Sequence, residues 1–236
     1  MPKEFECRRE VVLPAEPERV FAAISTVEGQ TAWLFPNPVP GSGAAAAWDP
    51  PRHFGVRMEE GEWFNALDFV IEGRSGAGAV LRYVHSGVFM DDWDNQFDAV
   101  SQHTDFYLHT LRQYLEHFDG RPPVYIGGDP SGLAGPARSS ETDGFDRLRG
   151  ALGVAGDASV GRNVTLPVDA PGPVAGEVDY SADNFLGIRT ANGLYRFFGR
   201  NAFGGPVGMS IHLFDPEVDA DAVTAAWSAW LEATFA

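Results

Sequence analysis

The stretch LRYVHSGVF, residues 81–89, has the alternating pattern of a β-strand and carries a histidine near its end. Successive side chains of a strand point to opposite faces, so Leu81, Tyr83 and His85 share one face. We expect this face to point inward, because it carries Leu81. Ser86 falls on the other face, which excludes a simple catalytic pair between His85 and Ser86.

A long amphipathic helix is predicted directly after this strand. Apolar residues recur at intervals of three and four from Phe97 to Phe118, and charged and amide residues occupy much of the opposite face. Asp91, Asp92 and Asp94 precede the helix, and aspartate is favoured at the N-cap and in the first turn. At ~1.5 Å per residue the helix spans about 33 Å, which is enough to cross a whole sheet.

Strands and a second helix are predicted upstream of this pair. The predicted strands lie at 4–13, 52–58 and 63–73, and the predicted helix, which contains Pro17 in its first turn, lies at 17–27. Gly87 is expected to interrupt the strand at 79–89 or to permit close approach of the long helix. The first half of the chain is therefore expected to have an α+β fold.

The second half of the chain has a different composition. Residues 119–144 are rich in Gly, Pro and Ser and are interpreted as a linker or long surface loop, followed by a smaller α+β domain at 145–236. Ala-Asn-Gly at 191–193 predicts a β-hairpin, and a strand at 207–215 precedes a C-terminal helix from Asp219. A strand leading into a helix occurs in both halves, so 145–236 is either a degenerate second half-repeat or an ordinary α+β domain.

Three segments of the first half resemble a known group of proteins. They are PERVFAAISTVEGQTAW (17–33), VLRYVHSGVF (80–89) and the sequence from Leu108 to Leu115. As an ordered set they resemble the SRPBCC superfamily (START and Bet v 1-like proteins), and within it the domains named after the activator of Hsp90 ATPase. The resemblance implies a helix-grip domain at 1–118, in which a curved antiparallel β-sheet surrounds a long C-terminal helix. It also implies a hydrophobic cavity between sheet and helix.

Several side chains on predicted inward faces are candidates to line such a cavity. The candidate ligand-binding residues are Trp33, Trp63, Asn65, Phe69, Tyr83, His85 and Tyr107. Clefts for apolar ligands are lined by aromatic residues with a few polar groups, but the same aromatic residues could equally fill a packed core. His85 is also the one candidate catalytic residue, and the structural alternative is a histidine held by the backbone or by water.

Three functions remain open on this reading. The first is binding of a hydrophobic or amphipathic small molecule in the cavity. The second is an enzyme of the polyketide aromatase/cyclase or hydrolase kind, with His85 as acid or base and Tyr83 or Asn65 orienting the substrate. The third is a protein-binding module resembling the Hsp90 co-chaperones.

Composition limits the partners and cofactors that are expected. The 236 residues include 17 Lys+Arg and 33 Asp+Glu, giving a net charge of −16, so nucleic acid and anionic membranes are not expected partners. Cys7 is the single cysteine, which argues against a Cys-based zinc site, and no other metal site or cofactor is expected. The sequence shows neither a signal-peptide pattern nor a membrane span, so a cytoplasmic location is expected. A homodimer is left open.

Overall fold

The computed structural model describes residues 2–41, 43–76, 78–127, 132–154, 156, 159–168 and 174–236. The chain divides into two compact units, Met1–Gly120 and Arg121–Ala236. Each unit contains its own antiparallel sheet and its own helices, so the whole chain is α+β.

The first unit has the helix-grip fold. Its described elements are β1 (Lys3–Leu13), α1 (Pro17–Ser25), α2 (Val27–Thr31), β2 (Ala47–Asp49), β3 (His53–Glu60), β4 (Trp63–Arg74), β5 (Gly78–Phe89) and α3 (Trp93–His117). The strand order is β1-β5-β4-β3-β2, so the first strand pairs with the last. The long helix α3 follows β5 and lies along β1, as the resemblance implies.

The contacts between α3 and the sheet are partly polar. Arg9 on β1 donates a hydrogen bond to the Ser101 hydroxyl at 2.7 Å and binds the Asp105 carboxylate. The Tyr83 hydroxyl on β5 is hydrogen-bonded to the side chain of Thr104. These contacts fix the face of the sheet that points toward α3, which is called the inner face below.

The long helix begins earlier than its apolar pattern predicts. Trp93 is its first residue, and its indole nitrogen donates to the Glu4 carbonyl oxygen at 3.0 Å. Asp92 occupies the N-cap position with a φ of 40°, but its side chain makes no capping hydrogen bond. The predicted positions are confirmed for Asp92 at the N-cap and Asp94 in the first turn. The Asp92 carboxylate, however, accepts a hydrogen bond from the Asn95 amide at 3.1 Å instead of capping a backbone N–H group.

The second unit contains a seven-stranded sheet in the part of it that the structure describes. Its strands are β6 (Val124–Ile126), β7 (Leu133–Ala134), β8 (Asn163–Leu166), β9 (Val174–Ala182), β10 (Phe185–Thr190), β11 (Gly193–Phe198) and β12 (Gly208–Leu213). The helices α4 (Gly144–Ala151) and α5 (Ala220–Thr234) accompany it, together with 3-10 turns at Ala137–Ser140 and Arg200–Phe203. Trp227 of α5 packs against Tyr195 and Phe197, with ring centroids 5.8 and 6.0 Å away.

The second unit contains the predicted hairpin but differs from the prediction at residues 119–144. The hairpin predicted at 191–193 is present, because β10 ends at Thr190 and antiparallel β11 begins at Gly193. Residues 119–144 do not form a separate linker: β6 and β7 pair with β12 of the second sheet, and residues 128–131 lie outside the described part. Strands of two or three residues are too short to show a period of two. In both sheets the first strand of the unit pairs with its last strand and the others follow in reverse chain order, β1-β5-β4-β3-β2 and β6-β12-β11-β10-β9-β8, with β7 as an additional partner of β12. A helix follows the last strand in each unit, and the half-repeat stays a prediction.

Gly29 provides a test of the packing between α1 and α2. A Cβ atom at Gly29 would lie 2.3 Å from the Ala22 carbonyl oxygen and 2.7 Å from the Ala23 Cα. Because both contacts are with backbone atoms, we expect Gly29→Ala to destabilise the first unit by about 1–3 kcal/mol. The free energy of unfolding is measured by urea denaturation, followed through tryptophan fluorescence.

Gly43→Ala is the matched control, because a Cβ atom there would meet no heavy atom within 4 Å. Equal stabilities of the two variants would contradict the close crossing of α1 and α2.

Candidate functional site

The registers of β1, β5, β4 and β3 arrange the inner face of the first sheet in rows. The three central rows are Arg9–Tyr83–Phe69–Phe54, Cys7–His85–Leu67–Val56 and Phe5–Gly87–Asn65–Met58. His85 is thus directly opposite Leu67 and diagonal to Asn65. Cross-strand and diagonal neighbours of this kind are close enough for their side chains to touch.

The central polar contact of the inner face joins His85 to Asn65. The His85 Nε2 atom lies 2.6 Å from the Asn65 Oδ1 atom. The ring of Phe5 meets the imidazole edge-on at a centroid distance of 5.1 Å, and the Tyr83 ring lies 6.4 Å away on the same strand. His85 is therefore held between an amide and aromatic rings.

A cleft of about 230 Å3 opens beside this pair, between the end of the sheet and the first turn of α3. It is lined by Phe5, Trp63, Phe64, Asn65, Val88, Phe89, Met90, Asp91 and Gln96. Six of the nine lining residues are apolar, and the polar side chains are one carboxylate and two amides. The structure thus shows a partly open cleft at one end of the sheet.

Gly87 allows the ring of Phe5 to lie across the third row. A Cβ atom at Gly87 would be 2.8 Å from a ring carbon of Phe5 and 2.7 Å from the Phe64 carbonyl oxygen. β5 nevertheless continues through this position to Phe89 in its pairing with β1, although its pairing with β4 ends at Gly87. The expectation that Gly87 interrupts the strand or admits the long helix is therefore wrong, since it admits the side chain of a neighbouring strand.

Burial keeps His85 neutral at physiological pH. Desolvation lowers the pKa of His85 to about 4, because the imidazolium cation would lose its hydration on the inner face. A neutral imidazole that contacts the Asn65 carbonyl oxygen must donate its Nε2 proton, so its Nδ1 atom is an acceptor. Burial likewise raises the pKa of the Tyr83 hydroxyl, and both groups are uncharged in the folded protein.

The structure brings together three of the seven predicted ligand-binding residues. Trp63 and Asn65 line the cleft, and His85 is hydrogen-bonded to Asn65. Phe69 and Tyr83 belong to the row adjacent to that of His85, with ring centroids 5.0 Å apart, and both are buried in the core.

The two other predicted residues have different surroundings. The Trp33 indole nitrogen donates to the Ala23 carbonyl oxygen at 2.9 Å, which ties the end of α2 to α1. Tyr107 is half-buried on α3, with its ring 6.1 Å from that of His103. Neither residue lines the cleft.

Sequence reasoning missed the cleft residues contributed by β1 and by the start of α3. Phe5 alternates with Cys7 on β1, which was a usable signal for an inward position. Phe5 also stacks on Phe89 with the rings 4.0 Å apart and nearly parallel. Asp91 and Gln96 gave no such signal, because capping alone explained the acidic segment.

The second unit has a separate open groove of about 420 Å3 on its sheet. It is formed by β8, β9 and the end of β10, and its walls include Glu177 and Arg189, which approach each other to 3.6 Å. Its lining is more polar than that of the cleft.

Neither metal ligation nor membrane crossing is indicated by the described residues. Among them, no group of three or more His, Cys, Asp or Glu side chains is placed to hold a metal ion. No helix in the described ranges combines the length and apolar character needed to cross a membrane.

The sequence matches no protein-family model and no curated protein. Similar solved structures include the Aha1 dimer from Colwellia psychrerythraea, which is 17% identical to this chain. The match covers 49% of this chain and 99% of that one, with a TM-score of 0.40. Ara h 8.0201 is 15% identical over 48% of this chain and 99% of its own, with a TM-score of 0.38. DynU16, from the dynemicin biosynthetic locus, is 13% identical over 98% of this chain and 95% of its own, with a TM-score of 0.39.

The protonation of His85 can be measured directly. Since its folded pKa is about 4 and its ordinary value is 6.5, we expect its ring C–H signals in NMR spectra to stay constant from pH 8 to about pH 5. In urea the same signals should titrate near pH 6.5. A midpoint near 6.5 in the folded protein would contradict the desolvated environment.

The same shift predicts a pH dependence of stability. The unfolded chain takes up a proton at His85 below about pH 6.5, whereas the folded chain does so only near pH 4. The folded state therefore loses roughly 3 kcal/mol of relative stability as the pH falls through this window. His85→Gln should remove this component, so the free energies of unfolding of wild type and variant should converge on acidification.

Proposed function

We propose that the first unit binds a small amphipathic molecule in the cleft between its sheet and the start of α3. The observation that carries this proposal is the position of the Asn65 amide, which lines the cleft beside the aromatic rings and is fixed from behind by His85. Aromatic walls with a few placed polar groups are typical of small-molecule sites. Phe5, Trp63 and Phe89 supply such walls.

The size of the cleft limits what it can enclose. Its volume of about 230 Å3 is below the ~300–1,000 Å3 of pockets that bury most of a drug-sized ligand. A ligand of one or two fused rings fits this volume. A longer molecule would insert one end and leave the rest on the open side.

Acid–base catalysis by His85 fits the structure less well than binding does. A general base works best when its pKa lies near the working pH, whereas His85, with a pKa of about 4, is a weak base at pH 7. Cys7 is the register partner of His85 on β1, but only 2% of its surface is exposed, so a dissolved substrate would not reach its thiol. The proposed role of His85 is to position Asn65.

Protein binding has less support from the surface of the chain. Exposed large apolar side chains away from the cleft include Val12 on β1, Val27 on α2 and Val160 in the second unit. Met90 lines the cleft and Met58 is the register partner of Asn65, so their exposure belongs to the proposed small-molecule site. Single exposed apolar residues on different elements are ordinary in soluble domains. A co-chaperone-like role therefore stays an alternative without an observation of its own.

Binding at the cleft can be tested with N-phenyl-1-naphthylamine, an uncharged probe whose fluorescence rises in apolar surroundings. We expect saturable binding to the full chain. Gln96→Trp should weaken it at least tenfold, because the indole would occupy the space that Gln96 lines at the start of α3. Fluorescence titration gives both affinities.

Gln102→Trp is the matched control, because Gln102 is on the same helix, outside the cleft, where it donates to Asp98 at 3.0 Å. Its affinity for the probe should equal that of wild type. Unchanged binding in Gln96→Trp, or no binding to wild type, would overturn the proposed site.

A further inference from the structure

The hydrogen bond between His85 and Asn65 determines which half of the Asn65 amide is available. The Oδ1 atom is engaged by the imidazole at 2.6 Å. The Nδ2 group carries two N–H donors, and among the described residues none accepts a hydrogen bond from it. Asn65 therefore presents a donor to the cleft that it lines.

The other polar wall of the cleft presents acceptors. The Gln96 Nε2 group donates to the Asp91 carbonyl oxygen at 2.7 Å and to the Asp91 carboxylate at 3.0 Å. These bonds engage the donors of Gln96, so its side-chain oxygen and the Asp91 carboxylate are the groups left to contact a ligand. The Gln96 side-chain oxygen and the ionised Asp91 carboxylate accept hydrogen bonds and cannot donate them.

We propose that the ligand of this cleft is a neutral or cationic aromatic compound with a carbonyl-type acceptor for Asn65 and a hydroxyl or amino donor for Asp91 and Gln96. This inference rests on the proposed function and specifies the chemistry of its ligand. One end of the compound accepts, the other donates, and the ring system between them contacts Phe5, Trp63 and Phe89.

Charge excludes carboxylic acids from this ligand class. The start of a helix attracts anions, but Asp91, Asp92 and Asp94 surround the start of α3 and offset this attraction. The whole chain carries a net charge of −16, which further lowers the local concentration of anions. A carboxylate that accepted a hydrogen bond from Asn65 would lie in the same small cleft as the Asp91 carboxylate, which repels it.

Four naphthalenes of similar size separate these contributions in calorimetric titrations of the full chain. They are 2-ethylnaphthalene, 2-acetylnaphthalene, 6-acetyl-2-naphthol and 2-naphthoate. We expect 2-acetylnaphthalene to bind about three- to tenfold more tightly than 2-ethylnaphthalene, because it adds one neutral hydrogen bond. The hydroxyl of 6-acetyl-2-naphthol should add a similar factor, and 2-naphthoate should bind most weakly.

Two variants show which residue causes each difference in affinity between the compounds. Asn65→Leu should remove the preference for 2-acetylnaphthalene over 2-ethylnaphthalene while retaining binding of the latter. Asp91→Asn should strengthen binding of 2-naphthoate about tenfold and reduce the gain from the hydroxyl. Asn95→Leu is the control for Asn65→Leu, because Asn95 contacts Asp92 outside the cleft, and it should leave the order of affinities unchanged.

The outcomes distinguish this inference from the proposed function. If 2-ethylnaphthalene binds wild type as tightly as the ketone does, or 2-naphthoate binds best, the ligand class is wrong although the cleft binds small molecules. If none of the four binds wild type, both proposals fail. The order of affinities in wild type decides the question even where a variant does not fold.

Discussion

The antiparallel pairing of β1 with β5 is the constraint on which the candidate site depends. The two strands are paired from Lys3–Phe89 to Leu13–Ala79, although most of the first unit's sequence lies between them. Their register brings Phe5 against Gly87 and Cys7 against His85. A shift of β1 by one residue would turn Phe5 and Cys7 to the opposite face, which would remove the Phe5 ring from its position beside His85. Because this pairing is long, the loop-closure entropy of joining distant strands is offset by many hydrogen bonds and buried side chains.

The environment that this pairing creates favours recognition over proton transfer. Desolvation keeps His85 neutral, and a neutral histidine with one donor and one acceptor can hold an amide in a single orientation. A buried donor or acceptor left without its partner costs about 1–3 kcal/mol. The His85–Asn65 hydrogen bond avoids that cost for the Nε2 atom of His85 and the Oδ1 atom of Asn65, and it leaves the Asn65 donors facing the cleft. Catalysis would require His85 to accept a proton at neutral pH, which its surroundings oppose.

Local periodicity accounts for the parts of the structure that the sequence predicts. The alternation in β5 and the helical spacing in α3 identify both elements and the inward face of His85, because each pattern depends only on the geometry of one element. The Asn65–His85 contact could not be predicted, since it is diagonal and depends on the register of β4 with β5. Phe5 and Gly87 depend on the still more distant pairing of β1. The strands within 119–144 were missed because their few residues, between glycines and prolines, carry no periodic signal.

The outer strands explain why the site is an open cleft instead of an enclosed cavity. β2 contains only Ala47–Asp49 and pairs with the first residues of β3, so the far end of β3 has β4 as its single neighbour in the sheet. Met58, beside Asn65 in the third row, is 58% exposed there, and Val56 and Leu67 are half-buried. This apolar ledge continues the inner face beyond Asn65. A ligand anchored at Asn65 could therefore extend its apolar part along Met58, at roughly 25 cal/mol for each Å2 of apolar surface removed from water. On this argument the polar groups of the cleft determine which end of a ligand enters, and the ledge determines how long its apolar part can be.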